Sequence, residues 1–244
     1  MHKTSISQSI VDRVVARRGR EHIFDDLNPA KTALVVVDMQ NGFMLPEVGH
    51  APCAMAHEIV PNINRLAEAV RATGGTVIWI QTAYTDETLT SWSTLYGMML
   101  PKGVERRKFS LSPANKGYEI FPDLRIEKTD LIVEKNRYSA FIQGSSSLEA
   151  ELRSRGITAV WVGGTSTNTC CESTARDAML LDFRTTMISD ANADDNDEEH
   201  NATLINFCIN FGDVASTDDL LARLQQPARR DIASSPGEAR PVAT

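Results

Sequence analysis

Five short runs, β-branched and apolar almost without interruption, constrain this chain more than any other feature: residues 33–37 (ALVVV), 76–80 (TVIWI), 131–134 (LIVE), 159–163 (AVWVG) and 185–189 (TTMIS). A strand with one face in water alternates apolar and polar residues. Unbroken runs suit strands covered on both faces, as in a parallel sheet. Residues 213–216 add a short sixth candidate. Helical periodicity lies between the runs. Within 59–73, Ile59, Ile63, Leu66 and Val70 share one face, and Gly74-Gly75 supplies a stop. Shorter helical patterns occupy 147–154, 168–182 and 200–211. Strand and helix alternate, so the sequence predicts an α/β fold of three layers, with a mostly parallel five- or six-stranded sheet and helices on both faces. Ligands of such sheets bind beyond the carboxyl ends of the strands, so the residues just past each run matter most.

The pattern fills residues 30–224, and a length of 244 makes one domain the expectation. Residues 1–29 read as an amphipathic N-terminal helix or arm. Arg13, Arg17, Arg18 and Arg20 mimic a transit peptide, but Asp12, Glu21, Asp25 and Asp26 argue against one. Residues 225–244, rich in Pro, Ser and Ala and poor in apolar side chains, are predicted to be a disordered tail. The weakly periodic stretch 82–123, broken by Pro101, Gly103, Pro113, Gly117 and Pro122, is expected to be an irregular substrate-covering loop. The acidic run 190–199 reads as a solvated loop, with His200 opening the next helix. A net charge of -7 without a basic stripe argues against nucleic acid or an anionic membrane as partner. No apolar run approaches the roughly 18 residues of a membrane span. Cys53, Cys170, Cys171 and Cys208 form neither a disulfide framework nor a CxxC metal pattern, which points to the reducing cytoplasm.

Three chemistry-bearing side chains follow three different runs. Asp38 ends ALVVV, Lys135 follows LIVE, and Cys170 lies in the turn after AVWVGG. With Thr167 or Asn168 as the N-cap, Cys170 falls in the first turn of a helix. Free N–H groups and the helix dipole there favour a thiolate and can hold an oxyanion. Each residue alone also has a plain structural reading: a small buried cysteine, a turn-capping aspartate, a solvated lysine, or a buried ion pair. Taken together they make chemical sense. A thiol needs a base, and two adjacent negative groups need a cation between them.

The segments carrying these residues are VVVDMQ (35–40), K-N-RYSAF (135–141) and GTSTNTCCESTARD (164–177). In this order they resemble the isochorismatase-like cysteine hydrolase superfamily, over about residues 30–224. Among its branches the similarity is greatest to ureidoacrylate amidohydrolase and N-carbamoylsarcosine amidohydrolase-type members. The resemblance implies Asp38 as general base and acid, Lys135 as supporting cation and Cys170 as nucleophile. It implies a cis Thr165–Ser166 bond, with the N–H groups of Ser166 and Cys170 forming the oxyanion hole. It also implies a homodimer or homotetramer.

The family's nicotinamidases carry a metal on His and Asp after the second strand. Here that region reads QTAYTD (81–86) without His, so no catalytic metal and no cofactor are expected. The expected reaction is cleavage of a C–N bond in a small amide or ureido/carbamoyl substrate through a thioester. The alternatives are a silent small-molecule-binding member of the same fold and a nicotinamidase-like amidase. Gln40, Asn41, Phe43, Thr82, Tyr84 and Tyr138 are the expected substrate contacts. Gln40 serves local backbone equally well, and the aromatics equally serve packing.

Overall fold

A computed structural model describes residues 1–225. The predicted tail lies, apart from Gln225, outside the described residues. Six strands form one sheet: β1 (Thr32–Val37), β2 (Thr76–Thr82), β3 (Leu131–Lys135), β4 (Ala159–Thr165), β5 (Arg184–Ala193) and β6 (Asp213–Ala215). Their order is β3-β2-β1-β4-β5-β6, and every pairing is parallel. The order reverses direction at β1 and β4, which creates a crevice at their carboxyl ends.

Alternate residues of the buried strands feed two separate cores, as period-two geometry requires. Leu34, Val36, Val77, Trp79 and Trp161 face α3 (Ala56–Ala72) and, on the same side, α10 (Thr217–Leu224). Ala33, Val35, Val37, Ile78, Ile80, Val160 and Val162 face α7 (Leu148–Ser154), α8 (Glu172–Leu180) and α9 (Asp197–Asn210). Here α1 is Gln8–Arg18, which packs on α9. Ahead of it His2 is buried, stacked on His200 with ring centroids 4.3 Å apart.

Three expectations are corrected. The stretch 82–123 is largely helical, not irregular. It holds α4 (Asp86–Ser91), α5 (Ser93–Gly97) and α6 (Pro101–Leu111), following the short α2 (Asn41–Met44) of the β1 connection. The punctuation that suggested a loop starts a helix instead: Pro101 occupies the first turn of α6, where its missing N–H costs nothing. The acidic run 190–199 is not a loop either. Its first half belongs to β5 and its second half enters α9, so His200 lies inside that helix and is fully buried. Finally, 168–182 is not one helix. A wide π-type turn, Thr167–Cys171, precedes α8.

Candidate active site

Asp38, Thr82 and Lys135 meet where three adjacent strands end. Asp38 is the first residue beyond β1 and turns out of the sheet with φ 54, a left-handed conformation that Asp tolerates better than most side chains. Its own N–H stays bound to the Ile80 carbonyl of β2. Thr82 and Lys135 are the last residues of β2 and β3 and are paired in register. Lys135 therefore reaches Asp38 past Thr82. Its Nζ donates to Asp38 Oδ2 at 2.8 Å, Thr82 Oγ1 at 2.6 Å and the Arg137 carbonyl at 3.0 Å. The Thr82 hydroxyl in turn donates to Asp38 Oδ1 at 2.8 Å. Both carboxylate oxygens are thus engaged in a fully buried ion pair. Such a pair is costly to break because the survivor stays charged in a dry site, about 3–5 kcal/mol.

Cys170 approaches this pair from β4, its Sγ 3.6 Å from Lys135 Nζ. The strand ends at a cis Thr165–Ser166 bond. Ser166, in extended conformation, occupies the capping position, and its carbonyl accepts from Thr169 and Cys171 N–H. The expected cap at Thr167 or Asn168 is therefore replaced, and Cys170 sits in the π-type turn rather than in the first turn of an α-helix. The turn is anchored from behind. Asp194 Oδ2 accepts from Asn168 N–H at 2.7 Å, and Thr167 Oγ1 lies 3.0 Å from His200 Nδ1. His200 also holds the Ser189 carbonyl through Nε2. Burial and the neighbouring His2 lower His200 to about 4 against the opposing pull of the Ser189 carbonyl and Asp197, so the ring is neutral.

The electrostatics also correct the expectation of a resting thiolate. Burial pushes the Cys170 thiol up to about 12. The Lys135 ammonium opposes this, while the Asp38 charge and the hydrogen bond to Asp38 add to it. Lys135 is buried too, yet Asp38 and Cys170 hold its pKa above the ordinary lysine value. The resting arrangement is a thiol beside a hydrogen-bonded carboxyl group and an ammonium. Proton transfer from sulfur must then accompany attack instead of preceding it. Cys171, also raised by burial, faces the apolar core with Ala175 and Val162.

Cys170 opens on a cleft of about 500 Å³. Ser166, Thr169 and Cys170 form its floor, with Phe43 and Tyr138 among the walls. Met99, Leu100, Lys102, Gly103 and Arg107 come from the α5–α6 segment, and His50 and Ala51 from the connection after α2. Of the expected substrate contacts, Phe43 and Tyr138 line this cleft. The other four do not, for identifiable reasons. Gln40 is fully buried, donating to the Thr82 and Tyr118 carbonyls and accepting from Thr82 N–H, which commits both of its amide protons to backbone. Asn41 donates to the Lys116 carbonyl. Thr82 belongs to the Asp38–Lys135 network. Tyr84 packs against Tyr96, Phe43 and Leu111 under the helical insertion.

Sequence reasoning missed Arg107 and His50. The run ERRK (105–108) looks like a solvated face, and only the spacing of Arg107, Ser110 and Leu111 marks the buried side of α6. Among the described residues no cluster of three or more His, Cys, Asp or Glu could hold a metal ion.

A family model described as the Isochorismatase domain matches residues 32–219, which include all three candidate residues. The chain belongs to the isochorismatase family of hydrolases. It is 31% identical over 217 residues to the ureidoacrylate amidohydrolase RutB of Pseudomonas savastanoi pv. phaseolicola, covering 79% of this chain and 83% of that one. Among solved structures it resembles a cysteine hydrolase from Pseudomonas syringae pv. phaseolicola, with a TM-score of 0.69 and 27% identity, over 82% of this chain and 94% of the other. It also resembles the N-carbamoylsarcosine amidase of Thermoplasma acidophilum, with a TM-score of 0.61 and 26% identity, over 77% of this chain and 97% of that one. The family resemblance and the fold class read from the sequence are both met. No helix among the described residues is long and apolar enough to cross a membrane.

Proposed function

We propose that this chain is a cysteine-dependent amidohydrolase acting on a small amide or ureide. The observation that carries the reading is the Lys135 ammonium, 2.8 Å from Asp38 and 3.6 Å from the Cys170 sulfur at the floor of an open cleft. Relatives that share the fold carry names of amidohydrolases and amidases.

Asp38 takes the Sγ proton as sulfur bonds to the substrate carbonyl carbon, and the carbonyl oxygen becomes an oxyanion. Ser166 and Cys170 N–H groups stabilise that charge, each donor being worth about 3 kcal/mol in comparable sites. Asp38 passes its proton to the departing nitrogen, the C–N bond breaks, and an amine or ammonia leaves a thioester behind. Water then attacks the thioester and gives a proton to Asp38, which returns it to sulfur as the C–S bond breaks. Lys135 remains an ammonium throughout and offsets the negative charge of its two neighbours.

The test is ammonia release from a panel of ureido acids, carbamoyl amino acids, biuret, nicotinamide and aliphatic amides. The wild-type chain turns over at least one of them, and Cys170→Ala loses that activity while keeping its circular dichroism. An active Cys170→Ala variant rejects the mechanism.

A further inference from the structure

Arg107 is the odd charge in this molecule. It is 8% exposed and belongs to α6, yet no carboxylate pairs with it among the described residues. Among the described residues its one hydrogen bond runs from Nη1 to His50 Nε2 at 3.0 Å, and its buried Nε has no partner. A buried, unpaired guanidinium is expensive unless something pairs with it. Its surroundings also hold it in place. A guanidinium only donates, so His50 must accept at Nε2 and carry its proton on Nδ1, which lies 3.3 Å from Ser110 Oγ. Burial and the nearby Arg107 and Arg106 push His50 down to about 3, consistent with a neutral acceptor ring. Ser110 lies one turn along α6 from Arg107, so the helix supplies both ends of the brace.

The cleft shared with Cys170 has a matching character. Twelve residues line it, including Arg107 and the exposed Lys102, and none is an aspartate or glutamate, although the chain carries 32 acids against 25 bases. Phe43, Met99 and Leu100 give the cleft apolar walls. A guanidinium fork pairs a carboxylate through parallel hydrogen bonds, and Arg107 lines this cleft with its Nε donor unpaired among the described residues.

We propose that Arg107, braced by His50 and Ser110, is a specificity-determining residue that binds a substrate carboxylate, so that the preferred substrates are amides or ureides bearing a free acid at the end opposite the scissile carbonyl. This rests on the reading of Cys170 as nucleophile. Neutral amides of the same size gain nothing from Arg107 and leave it desolvated and unpaired.

Alkylation of Cys170 separates the two claims without needing the natural substrate. Rates at neutral pH, located by peptide mapping, are compared for iodoacetate against iodoacetamide and for β-bromopropionate against its amide, each normalised to free cysteine. In the wild-type chain the acid-over-amide ratio exceeds that of free cysteine in at least one pair by about tenfold or more, the size expected of a charge-assisted hydrogen-bond pair. Arg107→Gln returns the ratio to the free-cysteine value, and Arg107→Lys falls between. An unchanged ratio in Arg107→Gln, with Cys170 still labelled, overturns the carboxylate site and leaves the nucleophile standing. Because the Cys170 thiol is raised by burial, slow labelling at neutral pH moves the same four rate measurements to alkaline pH, and failure of all four reagents to label Cys170 there removes the nucleophile, and the site with it. If circular dichroism shows Arg107→Gln unfolded, protection of wild-type Cys170 from iodoacetamide decides. Protection by propionate but not propionamide supports the site, whereas equal or absent protection overturns it.

Discussion

Thr82 shows how one hydroxyl can join three strand ends into a working unit. It accepts from Lys135 and donates to Asp38, so the carboxylate is held on both oxygens and aimed at the sulfur. Removing the hydroxyl at nearly constant volume leaves Asp38 Oδ1 buried without its donor. Thr82→Val is expected to lower kcat about 10–100-fold, the cost of a hydrogen bond to a charged group, while Thr82→Ser restores most of it. Steady-state kinetics on whichever panel compound turns over checks this, and a Thr82→Ser variant as slow as Thr82→Val assigns Thr82 to packing alone. The candidate residues themselves were legible because Asp38, Lys135 and Cys170 each follow an apolar run at a strand tip, the position where α/β sheets present side chains to ligands. The role of Thr82 was not legible. Nothing in the string QTAYTD distinguishes a hydroxyl turned toward a carboxylate from one turned toward substrate. Gln40 was ambiguous for the same reason, since a side-chain amide serves backbone and ligand with the same atoms.

At the level of elements, the close approach of β4 to β1 positions everything else. Gly164 has φ +123, and a Cβ there would lie 2.1 Å from the Val37 carbonyl oxygen, one residue before Asp38. Gly164→Ala combines backbone strain with a clash against backbone that cannot yield, at about 2–4 kcal/mol. The expected drop in Tm is roughly 5–15 °C for a chain of this size. Gly97→Ala, at a site with nothing within 4 Å, is the control and should stay within a degree or two, about the ±0.5 kcal/mol of a surface change. Equal melting of the two variants contradicts the packing argument. The strands could be read in advance because burial on both faces leaves an unbroken apolar signature. Helices α4 to α6 could not. They are short, polar outside, and bury only a few side chains each, so their periodicity is weak and Pro101 reads as a break. The π-type turn at Cys170 was equally hidden, because its spacing is set by anchors at Asp194 and His200, both distant in sequence.

Across the whole molecule, buried titratable groups set the pH range of stability. His50 and His200 are held neutral, lowered to about 3 and about 4, against roughly 6.5 in an unfolded chain. The unfolded chain therefore binds more protons below pH 6.5. Stability is fully present above that value and is lost as pH falls toward 4. The lowered carboxylates, Asp130, Asp197 and Asp219, add to the loss only below their ordinary range. On the alkaline side, Cys170 and Cys171 are raised by burial, so stability falls as pH rises past 9. Melting temperatures measured from acid to alkali should trace a plateau between these limbs. A Tm unchanged from pH 6.5 to 4 contradicts the burial of the two neutral imidazoles.

The central claim, that Cys170 carries the acyl group during turnover, is tested most directly by acid-quenching the enzyme in the steady state with a panel compound it hydrolyses and weighing the peptide that contains residue 170. The account predicts an acyl mass on Cys170 that appears with substrate, disappears when substrate is exhausted and is never seen in Cys170→Ala. Hydrolysis that continues at full rate in Cys170→Ala, with no adduct on the wild-type peptide, would contradict it.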